Sequence, residues 1–307
     1  MLRGAIVNTP GSGPAVNWQE NLSPRRRAAV RWPASEVGVM GILNLTPDSF
    51  SDGGRCNTPA EALLQAGIML RQGARVLDLG AQSTRPGAAL IGPEQELERL
   101  LPTLRAIRAA HPEALLSVDT FHAPVAAAAL ASGADWINDI SAGRADPAMA
   151  SLLAEHDCPC VLMHSRGDSQ NMDELTAYND VVEDVRVELL RSSERMLAAG
   201  VRREQIIWDP GLGFAKTANQ NLVLLRGLDR LCGEGFPLLV GPSRKRFIGA
   251  VLNEPRPRAR LWGTAAVCVQ AVLQGASLLR VHDVGPIVQA VLMASALRAD
   301  GQNTSRG

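Results

Sequence analysis

Nine polar side chains stand at or just past the ends of eight short apolar runs: Asn44, Asp78, Asp119, Asn138, His164, Asp209, Ser243, Arg280 and His282. Asp119, Asn138 and Asp209 are two carboxylates and an amide. A carboxylate only accepts hydrogen bonds, whereas an amide accepts and donates. Together they suit a flat heterocycle that offers amino and ring N–H donors and one carbonyl. The other chemistry is cationic. The seventh run leads into "GPSRKR", with Ser243, Arg244 and Lys245, and the eighth ends in Arg280 and His282. Arginine matches phosphate oxygens in pairs, and lysine acts as a compact charge. The set therefore divides into a heterocycle side and an anion side. Asp78 reads as structural, because two residues follow it before the loop turns polar, and His164 reads equally well as a packed rim residue.

These groups can act together only if one fold gathers them. The runs "VGVMGIL" (37–43), "RVLDLG" (75–80), "LLSVD" (115–119), "DWIND" (135–139), "CVLMH" (160–164), "IIWD" (206–209), "PLLVG" (237–241) and "LLRVH" (278–282) are short and apolar, as parallel strands buried on both faces are. Helical patterns separate them at 59–72, 94–110, 122–132, 147–156, 179–199, 218–231, 263–274 and 285–298. Thr58-Pro59 supplies a cap and a first-turn proline. Gly73-Ala74, Gly133-Ala134 and Gly275-Ala276 each place a glycine where a helix must stop and turn back. Eight strand–helix units in this length predict a single α/β (β/α)8 barrel, with the polar strand ends converging on its C-terminal face. A doubly wound sheet would show a glycine fingerprint after its first strand, and none is present.

Bulk composition limits the rest. The chain has 307 residues, 46% of them apolar, and 31 basic residues against 31 acidic ones. That supports a large core and argues against a nucleic-acid surface. Of the basic residues only Lys216 and Lys245 are lysines, and both follow predicted strands. Five cysteines, at 56, 158, 160, 232 and 268, do not make a disulfide framework, so a reducing, cytoplasmic setting is expected. Cys158 and Cys160 lack a second pair with zinc spacing and read as structural thiols. No run is long enough for a membrane span. Residues 1–36 read as a flexible extension, 37–298 as the barrel and 299–307 as a flexible tail.

The first strand runs on into "ILNLTPDSFSDGG" (42–54), far more polar and longer than a turn requires. This motif, followed in order by "DLGAQSTRPGA", "SVDT", "INDIS", "VLMH", "DPGLGFAK", "GPSRKRFIG" and "LLRVHDV", resembles the dihydropteroate synthase family of folate biosynthesis over about residues 37–297. The resemblance implies condensation of a dihydropterin-methyl diphosphate with 4-aminobenzoate, releasing diphosphate, with Mg2+ as cofactor and a homodimeric assembly. It implies that Asp119, Asn138, Asp209 and Lys245 bind the pterin, with Gly241 letting the ring approach the backbone and Asp119, Asp209 and Lys245 acting in catalysis. Asn44, Thr84, Arg280 and His282 would hold the diphosphate, and Asn44 would also reach the Mg2+. Phe50, Asp52, Arg85, Pro86, Phe214, Ser243 and Arg244 would line or close over the aminobenzoate, with the 44–54 loop as a lid.

The chain departs from the family's common form at Ala81-Gln82, Leu212, Ala215 and Ser165-Arg166. Gln82 removes a carboxylate, which puts any role of that acid in doubt. A methyltetrahydrofolate-type methyltransferase would share the pterin acids without needing Asn44, Lys245, Arg280 and His282 together. A non-catalytic pterin-binding paralogue is the other alternative.

Overall fold

Eight parallel strands form the barrel wall: β1 (Gly38–Asn44), β2 (Val76–Gly80), β3 (Leu115–Asp119), β4 (Trp136–Asp139), β5 (Cys160–Met163), β6 (Ile206–Asp209), β7 (Leu239–Val240) and β8 (Leu278–Val281). The computed structural model describes residues 37–46, 58–83 and 87–303, with side chains as far as 298. Pairing runs β6-β5-β4-β3-β2-β1-β8-β7, and a parallel bridge between Trp208 and Leu238 joins β6 to the start of β7, closing the ring. The predicted barrel is therefore the fold. β7 is much shorter than the predicted 237–241 because prolines flank it: Pro237 and Pro242 have no N–H to give to a ladder.

Helices α1 (Pro59–Arg71), α2 (Pro93–Ala110), α3 (Ala123–Ala131), α4 (Met149–His156) and α5 (Val181–Ala198) cover the first half of the wall. Then come α6 (Ala218–Arg226), α7 (Leu228–Cys232), α8 (Arg246–Leu252), α9 (Leu261–Leu273) and α10 (Val284–Asn303). Thr58 caps α1 in a reciprocal capping box with Glu61. The helix expected over 218–231 breaks at Gly227, where a Cβ would lie 3.0 Å from Val182 on α5. The short α8 has no clear sequence signal and takes over directly from "SRK". The final helix continues to Asn303, past the barrel boundary expected at 298.

The interior is layered. Met40, Val76, Leu115, Trp136, Val161, Ile207, Leu239 and Leu278, one from each strand, pack as a cluster that plugs the barrel. Side chains two residues apart on a strand share a face. The next layer toward the strand C-termini is thus Ile42, Asp78, Ser117, Asn138, Met163, Asp209, Gly241 and Arg280. This layer is largely polar, and it is the floor of the site.

The predicted glycine stops are present and have a fourth member. Gly73, Gly133, Gly200 and Gly275 have φ of +99, +102, +98 and +101. After each, the next residue's N–H returns to a carbonyl five residues back, at 2.9–3.0 Å, as in a Schellman stop. At Gly200 the only close neighbour of an added Cβ would be Ala154 Cβ at 3.5 Å, so the constraint there is the backbone. Gly200→Ala should lower stability by about 1–2 kcal/mol, read as a shift in the urea midpoint with an unchanged slope.

Candidate active site

The polar layer is held together by one guanidinium. Arg280 Nε donates to Asp78 Oδ2 at 2.6 Å, and its Nη2 donates to Asp119 Oδ2 at 2.7 Å. Asn138 Nδ2 donates to the same Asp78 oxygen at 3.1 Å. Asp78 is fully buried and fixes two residues that face the cavity, which agrees with its structural reading. Burial opposes the Arg280 charge, but Asp78 and Asp119 outweigh it and hold its pKa above the usual range.

Above this floor lie two connected spaces. A chamber of about 20 Å3 is lined by Asp119, Asn138, Ile140, Met163, Asp209, Gly211, Leu212, Phe214, Gly241, Lys245 and Arg280. It shares Asp119, Phe214, Gly241, Lys245 and Arg280 with a cavity of about 370 Å3 walled also by Asn44, Thr46, Gln82, Ser83, Ser243, Arg244 and His282. Lys245 Nζ sits 4.1 Å from the Phe214 ring centre. Burial pushes the Asp119 carboxyl up to about 7, opposed by Arg280 and reinforced by Asp78. Burial also raises Asp209, against the Gly211 N–H and Lys245. It lowers the Lys245 ammonium to about 8, with Arg280 adding to the effect.

The anion side is ordered by pairs between the β7 and β8 loops. Ser243 Oγ lies 2.9 Å from His282 Nδ1 and accepts from the His282 backbone N–H at 3.2 Å. Arg244 makes a two-pronged pair with Asp283, at 3.0 and 2.7 Å. Its guanidinium thus ties the two loops together while lining the cavity.

Asn44, Asp119, Asn138, Asp209, Phe214, Gly241, Ser243, Arg244, Lys245, Arg280 and His282 therefore surround one connected space. Phe50, Asp52, Thr84, Arg85 and Pro86 lie outside the described residues. His164 does not join them. Its buried ring accepts from Lys216 Nζ at Nδ1, 2.9 Å away, and meets Glu188 of α5 at Nε2, 3.0 Å away. Burial, aided by Lys216, lowers His164 to about 4.

Lys216 also donates to the Gly211 and Phe214 carbonyls, both at 3.0 Å, bracing the β6 loop from beneath. Burial lowers its ammonium to about 7, against the pull of Asp209. The rarity of lysine marked this residue in the sequence, but its role depends on a histidine 52 positions away. At Gly211 a Cβ would sit 1.8 Å from the His164 carbonyl oxygen, so only glycine fits. Glu96 was missed altogether. It is buried on α2 against His122 at 2.8 Å, and its charge adds to the upward push on Asp119.

A (β/α)8 barrel with acceptors around a deep chamber and cations around its mouth is an enzyme site for a hydrogen-bonding ring that carries an anion. Comparison with known proteins agrees. The pterin binding enzyme family matches residues 40–282. A dihydropteroate synthase of Synechocystis is 49% identical over 84% of this chain and 89% of its own. The Yersinia pestis dihydropteroate synthase, solved with a sulfonamide drug, superposes with a TM-score of 0.83 at 40% identity, covering 88% of this chain and 96% of that one. The Xanthomonas albilineans enzyme in complex with 7,8-dihydropteroate gives 0.76 at 34% identity, covering 87% and 95%. The chain belongs to the pterin-binding enzymes, and among them to the dihydropteroate synthase family.

Removing Arg280 would leave Asp78 and Asp119 buried without their cation. The Asp119 carboxyl, already raised by burial, would then be pushed further up. A raised carboxyl stabilises the fold below its unfolded pKa, and that contribution is lost as pH rises through the folded value. Arg280→Ala should therefore lose about 3–5 kcal/mol at pH 8 and clearly less at pH 5, measured by urea denaturation at both.

Proposed function

We propose that the two connected spaces divide one condensation between them. The enzyme is a transferase that joins (7,8-dihydropterin-6-yl)methyl diphosphate to 4-aminobenzoate, giving 7,8-dihydropteroate and diphosphate. The supporting observation is the continuity of an acceptor-lined chamber with a cationic cavity through Asp119, Lys245 and Arg280. Asp119, Asn138 and Asp209 accept from the pterin N–H groups, while Lys245 donates to its carbonyl. Gly241 leaves room beside them: even an added Cβ would lie 3.9 Å from Asp209 Oδ2. Arg280, His282 and Asn44 hold the diphosphate. Phe214, Ser243 and Arg244 receive the aminobenzoate, together with Phe50, Asp52, Arg85 and Pro86, and Thr84 completes the diphosphate contacts.

The methylene C–O bond breaks and its electron pair leaves with the diphosphate. Positive charge grows on the pterin methylene, and the buried carboxylates of Asp119 and Asp209 stabilise it. The aniline nitrogen then forms the C–N bond and releases its proton. Its lone pair is free at neutral pH, so positioning supplies most of the acceleration.

Asn44 Oδ1 and Asp119 Oδ2 both flank Gly80, lying 3.9 and 3.8 Å from the position of a Cβ there. Among the described residues no three His, Cys, Asp or Glu side chains converge to enclose a metal. A hard cation that keeps its water and shares substrate oxygens suits so sparse a donor set. Asn44 would hold a Mg2+ ion there, which when bound neutralises charge on the leaving diphosphate.

Asp209→Asn should cut kcat by about 100-fold or more, assayed as diphosphate release, while the circular dichroism spectrum stays unchanged. Near-normal turnover would remove Asp209 from the mechanism.

The protein is also inferred to act as a cytoplasmic homodimer. Cys160, Cys232 and Cys268 are free thiols, which suits a reducing compartment. No helix among the described residues is long and apolar enough to cross a membrane. α9 carries no charged residue. Its Trp262 and Leu273, 77% and 45% exposed, lie three turns apart on one face. The neighbouring α10 exposes Leu292, Met293 and Leu297. A patch of this kind on paired helices supports self-association. Trp262→Arg should shift the protein toward monomer in light scattering while leaving its helical content intact.

A further inference from the structure

Gln82 stands at the start of the loop after β2, where it is 6% exposed and lines the wide cavity beside Ser83. Its side-chain amide is fully engaged with its own loop. Oε1 accepts from the Ile91 N–H at 2.9 Å, and Nε2 donates to the Ser83 carbonyl at 2.8 Å and the Ala89 carbonyl at 3.2 Å. These partners fix the orientation of the amide, since the N–H needs an acceptor and the two carbonyls need donors.

One side chain thus pins the first residue of the loop to residues 89 and 91 on its returning leg. The outer part of the same leg is clasped by the loop after β5. Gly87 N donates to Ser169 O at 2.7 Å, and Ser169 Oγ and Gln170 Nε2 donate to Ala88 O at 3.0 and 2.6 Å. Loops do not ordinarily carry this many internal and lateral ties. The effect is a braced wall segment, Gln82-Ser83, that lines the cavity together with Asn44 and Thr46 of the adjacent β1 side.

We propose that Gln82 is a positioning residue for the arylamine substrate: its amide holds Gln82-Ser83 against residues 89 and 91 in the arrangement that receives 4-aminobenzoate, and a carboxylate in its place would not. This rests on the condensation proposed above. A carboxylate could still accept from Ile91 N with one oxygen, but it would set the other against the Ser83 and Ala89 carbonyls, where the amide donates. Protonation would restore one donor. The amide therefore makes the wall independent of pH, whereas an acid would make it titrate. The pterin chamber is lined from β3, β4, β6, β7 and β8 through Asp119, Asn138, Asp209, Lys245 and Arg280, and neither Gln82 nor Ser83 lines it.

The test uses the full-length enzyme with Mg2+ and compares Gln82→Glu and Gln82→Met with the unsubstituted protein between pH 6 and 8.5. Ratios to the unsubstituted enzyme cancel the titrations of Asp119, Lys245, His282 and the substrates, which share or enter the same cavity. At pH 8.5 Gln82→Glu should raise KM for 4-aminobenzoate about tenfold or more, with KM for the dihydropterin diphosphate changed less than twofold. That ratio should fall back several-fold toward pH 6. Gln82→Met should raise the same KM by a similar factor at every pH. Equal losses for both substrates, or a Gln82→Glu ratio flat with pH, would overturn the proposal. If the unsubstituted enzyme turns over normally, such a result counts against Gln82 alone. Absence of turnover in the unsubstituted enzyme would instead overturn the condensation.

Discussion

A barrel interior normally closes with stacked apolar layers. Here the first layer does so, and the second carries Asp78, Asn138, Asp209 and Arg280 in their place. Each buried ion costs several kcal/mol of lost hydration unless it is paired and hydrogen-bonded. Arg280 reaches Asp78 within its own layer and Asp119 in the layer above. One guanidinium thereby makes two buried carboxylates tolerable, and Asp78 passes the constraint on to Asn138. The hydrogen-bonding floor of the site exists because this cluster is closed. Trp136, Met40 and their neighbours beneath it keep water from entering from the other end.

The loops above are held by different means, each matched to its surroundings. The β6 loop rests on Lys216, whose ammonium finds two carbonyls and His164 rather than a carboxylate. Glu188 secures the far side of that histidine. The β7 and β8 loops are joined by Arg244–Asp283 and Ser243–His282. The β2 loop depends on neutral amide and backbone bonds. Charge is thus concentrated in the ties of the β7 and β8 loops and at the base of the site, whereas the described ties of the β2 loop are neutral. A carboxylate at position 82 would set an anion in the cavity that Arg244 and Lys245 also line, in competition with the substrate's own.

Much of this was legible in the sequence because its causes are local. Period-two and period-3.6 patterns fix strands and helices, and glycine at C′ positions fixes where helices stop. The strand-end rule singles out Asn44, Asp119, Asn138, Asp209, Ser243, Arg280 and His282, all of which line the two spaces. His164, which read equally well as a packed rim residue, is one, because a residue just past a strand end can turn toward a helix as easily as toward the barrel axis. The rule understated Asp78, whose partner Arg280 is 202 positions away. Gln82 read as a loss, a missing carboxylate. Its amide has a use only once Ala89 and Ile91 fold back upon it. The short α8 escaped because seven residues hold too little periodicity to register.

The sequence by itself determined the eight-fold alternation, the closed barrel that follows from it and the chemical kinds of group at its rim. The alternation and the rim groups are set by interactions within about a dozen residues, and the barrel follows from the number of units. The tertiary structure decided which groups become partners: Arg280 between Asp78 and Asp119, Lys216 against His164, Glu96 against His122. Only closure of the ring brings the first strand beside the last, so charge compensation across the interior has no trace in local spacing. Burial, which sets the titration of Asp119, Lys216 and Lys245, likewise belongs to the closed barrel rather than to any segment of the chain.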